Sequence, residues 1–237
     1  MLEIYQKTIS EPISFVGIGL HSGINSKVTI LPGADDQGII FKRVDLKRNN
    51  LVQANYKNVA SAKLCTTLEN EFGVKVSTVE HLLAALYIAN IDNAVIEINN
   101  EEVPIMDGSA REFLNILNQI ETHTLKKKRK YLKILNKIKL IDGERKISIE
   151  PNGSSFQVDF QLSYKNTIIG NQRNTINFEK DDLNDVIRSR TFCLYEDIEK
   201  IKEAGLAKGG SLDNAVVVNG SHIMNKGGLR NKKEFVN

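Results

Sequence analysis

The stretch that most constrains the fold is Ser77–Leu86, which reads Ser-Thr-Val-Glu-His-Leu-Leu-Ala-Ala-Leu. Its apolar residues follow the i, i+3, i+4, i+7 spacing of a buried helix, at positions 79, 82, 83 and 86. Glu80 and His81 lie in the first turn, where free N–H groups and the helix dipole favour an ionised carboxylate and a neutral imidazole. Because both groups are costly to bury unless paired or ligated, the pattern predicts a general base beside a metal ligand.

A structural alternative exists for the same stretch. Ser77 is followed three residues later by Glu80, which is also the spacing of a capping box. In that case the carboxylate only satisfies the backbone at the start of the helix. The local sequence leaves both interpretations open, and an isolated Glu-His pair is weaker than a spaced two-histidine zinc motif.

The length and composition set broad limits. A chain of 237 residues can bury a large core, and we expect two domains of moderate size. It contains no apolar run near the roughly 20 residues needed to span a bilayer, and residues 1–7 lack the apolar core of a signal peptide. We therefore expect a cytoplasmic protein, and we also expect a monomer. The formal net charge of +3 gives no general reason to expect nucleic acid as a partner.

The first half of the chain predicts a sheet with two helices on it. Short apolar runs separated by turn residues predict strands at 14–18, 27–31, 38–43, 61–68, 74–76 and 93–98. The helix after Ser77 is expected to end near Asn90, and Pro104–Ser109 is expected to form a turn before a second helix. His21 lies in a glycine-rich bend, where its neighbours do not decide between a structural and a functional role.

The basic run Lys126–Lys130 is the best candidate for a domain boundary. Five adjacent charges without interleaved aromatic residues are typical of a solvated linker, with RNA binding as a distant alternative. We therefore predict an N-terminal α+β domain at 1–125, a linker at 126–130 and a C-terminal α+β domain at 131–237. In the second domain, alternation predicts a hairpin around Asp142-Gly143 and strands at 156–162 and 215–218, and helices are expected at 181–187 and 197–204.

Two further stretches concentrate polar and glycine residues between apolar elements, namely Ser189–Phe192 and Gly205–Ala215. Glycine pairs let the backbone approach a ligand, and Lys208 has the charge to meet an anion. Taken alone, the second stretch favours a loop that enters a strand over a ligand site.

Taken together, these stretches resemble the UDP-3-O-acyl-N-acetylglucosamine deacetylases, a family of zinc amidases of lipid A synthesis. The motifs that carry the resemblance occur in order along the whole chain: 17–23, 64–67, 77–82, 104–110, 190–192, 209–214 and 234–236. The resemblance implies a two-domain α+β fold, with each sheet packed on helices and the active site in the cleft between the domains. It also implies a UDP-linked, acylated amino sugar as the substrate.

The resemblance assigns roles to particular residues. His81 is similar to a zinc ligand and Glu80 to the general base that deprotonates a metal-bound water, while Thr191 would donate a hydrogen bond to the developing oxyanion. Substrate-binding roles are implied for six further residues, on the sugar, the acyl chain or the nucleotide: His21, Arg145, Tyr164, Phe192, Leu206 and Val217.

The chain departs from the family pattern at its end. In the family, the motif that begins at Glu234 runs into a His-Lys pair with further polar residues, which would supply two more zinc ligands, a substrate-binding lysine and a general acid. The present sequence ends at Asn237, and the spare histidines, His123 and His222, lie elsewhere. We therefore expect an incomplete second domain and weak zinc binding, since a catalytic zinc needs three protein ligands. A catalytically inactive remnant is the alternative to an active deacetylase.

Overall fold

The structure is a computed structural model that describes residues 4–153 and 155–237. The helices are α1 Glu80–Ile88, α2 Arg111–Leu117, α3 Asn184–Arg188 and α4 Ile198–Glu203. The strands are β1 Tyr5–Ile9, β2 Ile13–Ile18, β3 Asn25–Pro32, β4 Ile39–Arg43, β5 Leu51–Gln53, β6 Val59–Ser61, β7 Thr67–Glu69, β8 Lys75–Ser77, β9 Ala94–Ile98, β10 Thr122–Lys128, β11 Ile138–Asp142, β12 Arg145–Ile149, β13 Gln157–Ser163, β14 Asn171–Asn177, β15 Phe192–Leu194, β16 Val216–Asn219 and β17 His222–Ile223.

The first half of the chain is built on a five-stranded sheet in the order β2-β3-β9-β4-β5. Its strands are antiparallel except for the parallel pair β4 and β9. Alternate residues of β3 and β9 are buried, as period-two alternation requires for a sheet with one covered face. Helices α1 and α2 bury one side of each helix in the same apolar cluster as these strands. This sheet and its two helices confirm the α+β prediction.

The basic run at 126–130 differs from the solvated linker that its charge predicts. Its first three residues end strand β10, which pairs antiparallel with β1. Arg129 continues the attachment, because its backbone N–H donates to Ile4 O at 2.9 Å and its Nε lies 2.7 Å from a carboxylate oxygen of Asp92. Charge density alone misses this because strand pairing satisfies the backbone while the lysine side chains stay in solvent. Any linker between the two halves therefore starts after Arg129.

The second half of the chain contains two separate hairpins, β11-β12 and β13-β14, and a three-stranded sheet in the order β15-β16-β17. Strands β15 and β16 are parallel, and β16 and β17 form a hairpin. A second, smaller apolar cluster joins this sheet to the end of the chain; its buried members are Leu162, Ile169, Val216, Val218, Phe235 and Val236.

Most of the predicted elements are present. The hairpin around Asp142-Gly143 is confirmed, and helix α1 ends at Ile88, close to Asn90 as expected, where the backbone has a φ of 59°. Residues 62–66 form a loop instead of a strand, and β14 carries no apolar alternation that would have predicted it. No helix in the two described ranges combines the length and apolar character required to cross a membrane.

Candidate active site

The N-terminus of α1 presents Glu80 to solvent. The helix begins at Glu80 after Val79, with no side-chain cap, so the capping-box alternative is wrong in this structure. Ser77 instead donates its hydroxyl hydrogen to Glu101 O at 3.3 Å. The Oε1 atom of Glu80 accepts a hydrogen bond from the Thr66 N–H, whereas Oε2 has no hydrogen-bond partner among the described residues. Glu80 is exposed, so one carboxylate oxygen remains available to take a proton.

His81 lies directly behind this carboxylate and is partly buried. Its Nδ1 atom is buried, and no hydrogen-bond partner lies within reach in the described residues. Burial lowers the pKa of His81, against the opposing effect of the Glu80 and Asp107 charges. The imidazole is therefore neutral at pH 7, as the sequence predicts, although the main cause is burial rather than the helix dipole.

Asp107 is the second acidic group that acts on His81. It is buried in the turn before α2, and its Oδ1 accepts hydrogen bonds from the backbone N–H and the hydroxyl of Ser109, at 3.1 and 2.8 Å. Its Oδ2 lies 2.7 Å from Arg111 Nη2 and 2.9 Å from Arg230 Nη1. Both distances are those of ion pairs, but Oδ2 accepts no hydrogen bond of good geometry from either guanidinium. Two cations thus lie within ion-pair distance of this carboxylate.

His21 lies next to Cys65, in contact with the same part of the site. Glu102, buried behind the bend, accepts hydrogen bonds from the backbone N–H of His21 at 2.8 Å and from the Thr78 hydroxyl at 2.8 Å. The neighbouring Cys65 thiol raises the pKa of His21, burial acts to lower it, and the Glu102 and Glu80 charges add to the rise. Burial acts to raise the pKa of Cys65, but the neighbouring His21 and the hydroxyls of Thr67 and Thr78 lower it overall. His21 therefore lies within electrostatic reach of Glu80.

The glycines at 209 and 108 bring distant segments together. A Cβ at Gly209 would lie 2.2 Å from Gly19 O, and a Cβ at Gly108 would lie 2.1 Å from Asn214 O. Gly209 also donates its N–H to Leu20 O at 3.0 Å, beside His21. These glycines therefore permit close approach of two backbones within the protein, whereas the sequence suggested approach to a ligand. The contacts place the 207–214 loop against the His21 bend and the Asp107 turn.

Backbone hydrogen bonds hold Thr191 against the Asp107 turn. Its N–H donates to Gly108 O at 2.8 Å, and its carbonyl accepts from the Val216 N–H at 2.8 Å. No described residue pairs with its hydroxyl, which stays free to donate to a ligand. Thr191 is thus bonded to Gly108, the residue after Asp107, whose charge acts on His81.

The six substrate-binding candidates do not all lie together. The Phe192 ring packs edge-on against Tyr164, with centroids 5.6 Å apart, and against Phe235 at 5.0 Å. Leu206 precedes Ala207, whose N–H points at Nδ1 of His21 from 3.4 Å. Val217 is buried in β16, opposite Cys193 of β15. Arg145 lies on the exposed hairpin β11-β12, and no hydrogen bond or ion pair in the described chain joins it to the others.

The residues present fit a metal ion only in part. The unpartnered Nδ1 of His81 is the kind of orphaned buried atom that a ligand would satisfy. A catalytic zinc, however, needs three protein ligands. Within 4–153 and 155–237, no group of three or more His, Cys, Asp or Glu side chains is arranged to hold a metal. These residues therefore do not form a complete zinc site by themselves.

Sequence reasoning missed the groups that support the site. Glu102, Arg230 and the role of Cys65 beside His21 were not predicted, because no local pattern distinguishes them. Glu102 is buried, but it directly follows Glu101, and two adjacent glutamates are typical of an exposed segment. The one available signal is Gly19, where a Cβ would lie 2.4 Å from Glu102 Oε2. A required glycine indicates that something lies close to the backbone, but not which residue.

These groups have the character of a hydrolytic enzyme: an exposed carboxylate beside a neutral imidazole, and a free hydroxyl donor at Thr191, the residue before β15. The sequence model of the family named UDP-3-O-acyl N-acetylglycosamine deacetylase matches residues 6–237. The chain belongs to this family.

Named relatives agree with the family match, and each carries the name UDP-3-O-acyl-N-acetylglucosamine deacetylase. The protein from Phenylobacterium zucineum is 37% identical over 235 residues, which are 98% of this chain and 80% of the relative. The proteins from Nautilia profundicola and Syntrophotalea carbinolica are 38% and 39% identical, over 98% of this chain and 78% and 75% of the relatives. Similarity that extends along the whole chain does not favour the inactive-remnant alternative.

Proposed function

We propose that this protein hydrolyses the N-acetyl group of UDP-3-O-acyl-N-acetylglucosamine, the committed step of lipid A biosynthesis. One observation carries the proposal. In a chain that matches the deacetylase family over residues 6–237, the Asp107 charge acts on His81, which follows Glu80, and the next residue, Gly108, accepts a hydrogen bond from the Thr191 N–H. We infer that these contacts bring together a base, an electron-pair donor and an oxyanion donor, which are the groups that amide hydrolysis requires.

Glu80 is proposed as the general base. Its Oε1 is held by the Thr66 N–H, so the carboxylate has a fixed orientation, while Oε2 is left to accept the proton of an attacking water. A positioned base of this kind contributes about 10² to 10⁴ in rate. The anchor is a backbone group of the 62–66 loop, so the orientation does not depend on another side chain.

Thr191 is proposed as the oxyanion donor. Both backbone groups of Thr191 are already paired, to Gly108 O and to the Val216 N–H, each at 2.8 Å. The residue therefore has little freedom, and its unpaired hydroxyl is preorganised to stabilise the negative charge that develops on the acetamide oxygen.

The proposed cofactor is Zn²⁺, with His81 as one ligand through its electron pair. When bound, the ion would polarise the acetamide carbonyl and lower the pKa of a water molecule. The described residues supply no second and third ligand to His81. A protein that consists only of these 237 residues is thus expected to lose zinc on dialysis, as measured by atomic emission, and stoichiometric retained zinc would contradict this ligand assignment.

We propose that the substrate binds at two small groups of the substrate-binding candidates, with two further residues at its ends. Phe192 and Tyr164 form one aromatic surface, which suits a sugar or uracil ring, while Leu206 and His21 lie together at the 207–210 loop. Val217 is proposed to line the acyl passage and Arg145 to contact the polar head. The role of Val217 requires that the acyl chain reaches a residue that is buried in β16. The role of Arg145 requires that the hairpin β11-β12 approaches the bound substrate.

We also propose a division into two domains, each with one of the two apolar clusters, and a cytoplasmic monomer. The larger cluster draws only on β1–β9, α1, α2 and neighbouring residues, with Ile187 at its edge, and the smaller one only on residues after 161. Separate cores are what two domains require. Dilute-solution mass measurement by light scattering tests the monomer, and a mass of twice 26.6 kDa would contradict it.

The experiment that tests the function is turnover by the full-length protein. Purified protein supplied with zinc and UDP-3-O-acyl-N-acetylglucosamine is expected to release acetate and one free amine in equal amounts. UDP-N-acetylglucosamine without the 3-O-acyl chain serves as the matched substrate and is expected to react much more slowly, because remote binding energy is lost. Absence of acetate release from the acylated substrate would overturn the proposal.

A further inference from the structure

We propose that Arg190, Arg230 and Glu234 form a positioning network that holds Thr191 against the Asp107 turn. The proposal rests on the proposed function, since it concerns the geometry of the oxyanion donor. None of the three residues was given a role by the sequence, and none is placed in contact with the reacting groups. Their effect is exerted through Thr191 and Asp107.

Glu234 is the centre of the network. Its side chain is fully buried, and Arg190, the residue before Thr191, is nearly so. The Glu234 carboxylate accepts from the Arg190 N–H at 3.2 Å, from Nε at 2.7 Å and from Nη2 at 3.3 Å. It also accepts from the Arg230 N–H. A buried carboxylate is tolerated only when paired and hydrogen-bonded, so these bonds fix both backbones at once.

Arg230 extends the network to the other half of the chain. Its Nη1 lies 2.9 Å from Asp107 Oδ2 and donates to Arg188 O at 3.0 Å and to Ser109 Oγ at 3.3 Å. One guanidinium nitrogen therefore joins the turn that follows Ile105 to the segment that leads into Thr191. A planar guanidinium is always charged and has a fixed fork, which makes it suited to holding several acceptors in one geometry.

Thr191 lies between the two anchored points. On one side Arg190 is bound to Glu234, and on the other the Thr191 N–H reaches Gly108 O at 2.8 Å, one residue from Asp107. If Arg230 or Glu234 is lost, Gly108 and Thr191 are free to separate. A displacement of about 1 Å is enough to reduce rates by about 10²-fold when a catalytic group must meet a developing charge.

The network is tested by Arg230→Met and Arg230→Lys in the full-length protein. Arg230→Met is expected to lower kcat at least tenfold with KM changed less than threefold, because Thr191 would lose its position in the transition state and substrate binding would be kept. Arg230→Lys is expected to recover part of the rate, since it restores the charge without the fork. The matched control is Lys232→Met, an exposed cation two residues away with no partner in the described residues, and it is expected to keep full activity.

A second readout does not depend on turnover. Amide hydrogen exchange followed by mass spectrometry is expected to become faster in the peptide that contains Thr191 when Arg230 is replaced by Met. Peptides from the core strand β9 are expected to keep their wild-type rates. General destabilisation would raise exchange in both peptides equally and would contradict a positioning role. Should Arg230→Met fail to fold, Glu234→Gln, which keeps the shape and loses the charge, takes its place with the same expectations.

The outcomes separate this proposal from the proposed function. If the wild-type protein releases no acetate, the deacetylase assignment fails, and the exchange experiment still decides whether the network holds Thr191. If the wild type is active and Arg230→Met keeps its kcat and the exchange rate of the Thr191 peptide, the network has no positioning role. A rise in KM alone would also overturn the proposal, because it would place Arg230 in substrate binding.

Discussion

The two halves of the chain bury their apolar residues in different ways. In the first half, β3, β9, α1 and α2 share one cluster, and the inward residues of both strands are almost completely covered. In the second half, β11 and β12 pair Ile138 with Ile149 and Leu140 with Ile147, which forms an apolar face of similar composition. That face remains exposed, with Leu140 66% and Ile147 69% accessible.

The comparison shows what alternation does and does not specify. Period-two alternation places apolar residues on one face of a strand, and this part of the prediction holds in both halves. Burial also requires a second layer that covers this face. In the first half, helices α1 and α2 provide that layer, and they lie just before and just after β9 in the sequence. The described residues provide no such layer over β11 and β12. The proposed active-site groups follow the same division, since Glu80 and His81 come from the well-packed half and Thr191 from the other.

The largest difference between the halves is expected in the core of the first sheet. Phe41→Ala removes a completely buried ring from β4 and is expected to lower the free energy of unfolding by about 3 to 5 kcal/mol. Phe72→Ala is the matched control, because Phe72 is 59% exposed, and it is expected to cost less than about 1 kcal/mol. Urea unfolding followed by circular dichroism measures both. Equal losses would mean that the first core is not the main source of stability.

The next largest effect is expected where the halves touch. Gly108→Ala places a Cβ 2.1 Å from Asn214 O at a φ of 82°, so backbone strain adds to a steric clash. The expected loss of unfolding free energy is about 2 to 5 kcal/mol. Gly220→Ala is the control: its φ is also positive, at 56°, but nothing lies within 4 Å. It is expected to cost about 1 to 2 kcal/mol. If the two variants lose the same stability, the contact between the halves contributes nothing.

The two cysteines, one in each half, are expected to differ in their rates of alkylation. Burial acts to raise the pKa of Cys65, but the neighbouring His21 outweighs it and lowers that pKa, whereas burial raises the pKa of Cys193. Both thiols are half-buried, so thiolate content is expected to decide the rate of alkylation. At pH 7 iodoacetamide should modify Cys65 several-fold faster, as followed by peptide mass spectrometry. His21→Gln should bring the two rates closer, and a faster reaction at Cys193 would contradict this assignment of charge.

The smallest effect is expected in the exposed hairpin. Leu140→Ser and Ile147→Thr place polar groups on a face that is already in water, so the free energy of unfolding should change by less than about 0.5 kcal/mol. A loss above about 2 kcal/mol in the full-length protein would show that another layer covers this face in solution. That result would remove the difference between the two halves.

The sequence predicted the parts of this structure that depend on local pattern. Helix α1, the end of that helix near Asn90 and the hairpin at Asp142-Gly143 all follow from spacing and turn residues. Strand β14 escaped prediction because its residues are polar and its register is set only by pairing with β13. The run at 126–130 was misjudged because its backbone pairing with β1 depends on residues more than a hundred positions earlier.

The site shows the same limit. The Glu80-His81 pair was recognisable from its place in a helical pattern, and the neutral state of the imidazole was expected. The contacts that support it are long-range, as between Glu102 and His21 or Arg230 and Asp107, and they carry no local signature. Close backbone approaches at Gly108 and Gly209 were visible as glycines, but the sequence could not say what approaches them.

The central claim is that the Glu80 carboxylate performs the proton transfer of the hydrolysis. The most direct test compares Glu80→Gln with Glu71→Gln, an exposed glutamate away from the site, in acetate release by the full-length protein under saturating substrate. The account predicts that Glu80→Gln lowers kcat by about 10² to 10⁴, while Glu71→Gln keeps the wild-type value. A Glu80→Gln enzyme that releases acetate within twofold of the wild-type rate would contradict it.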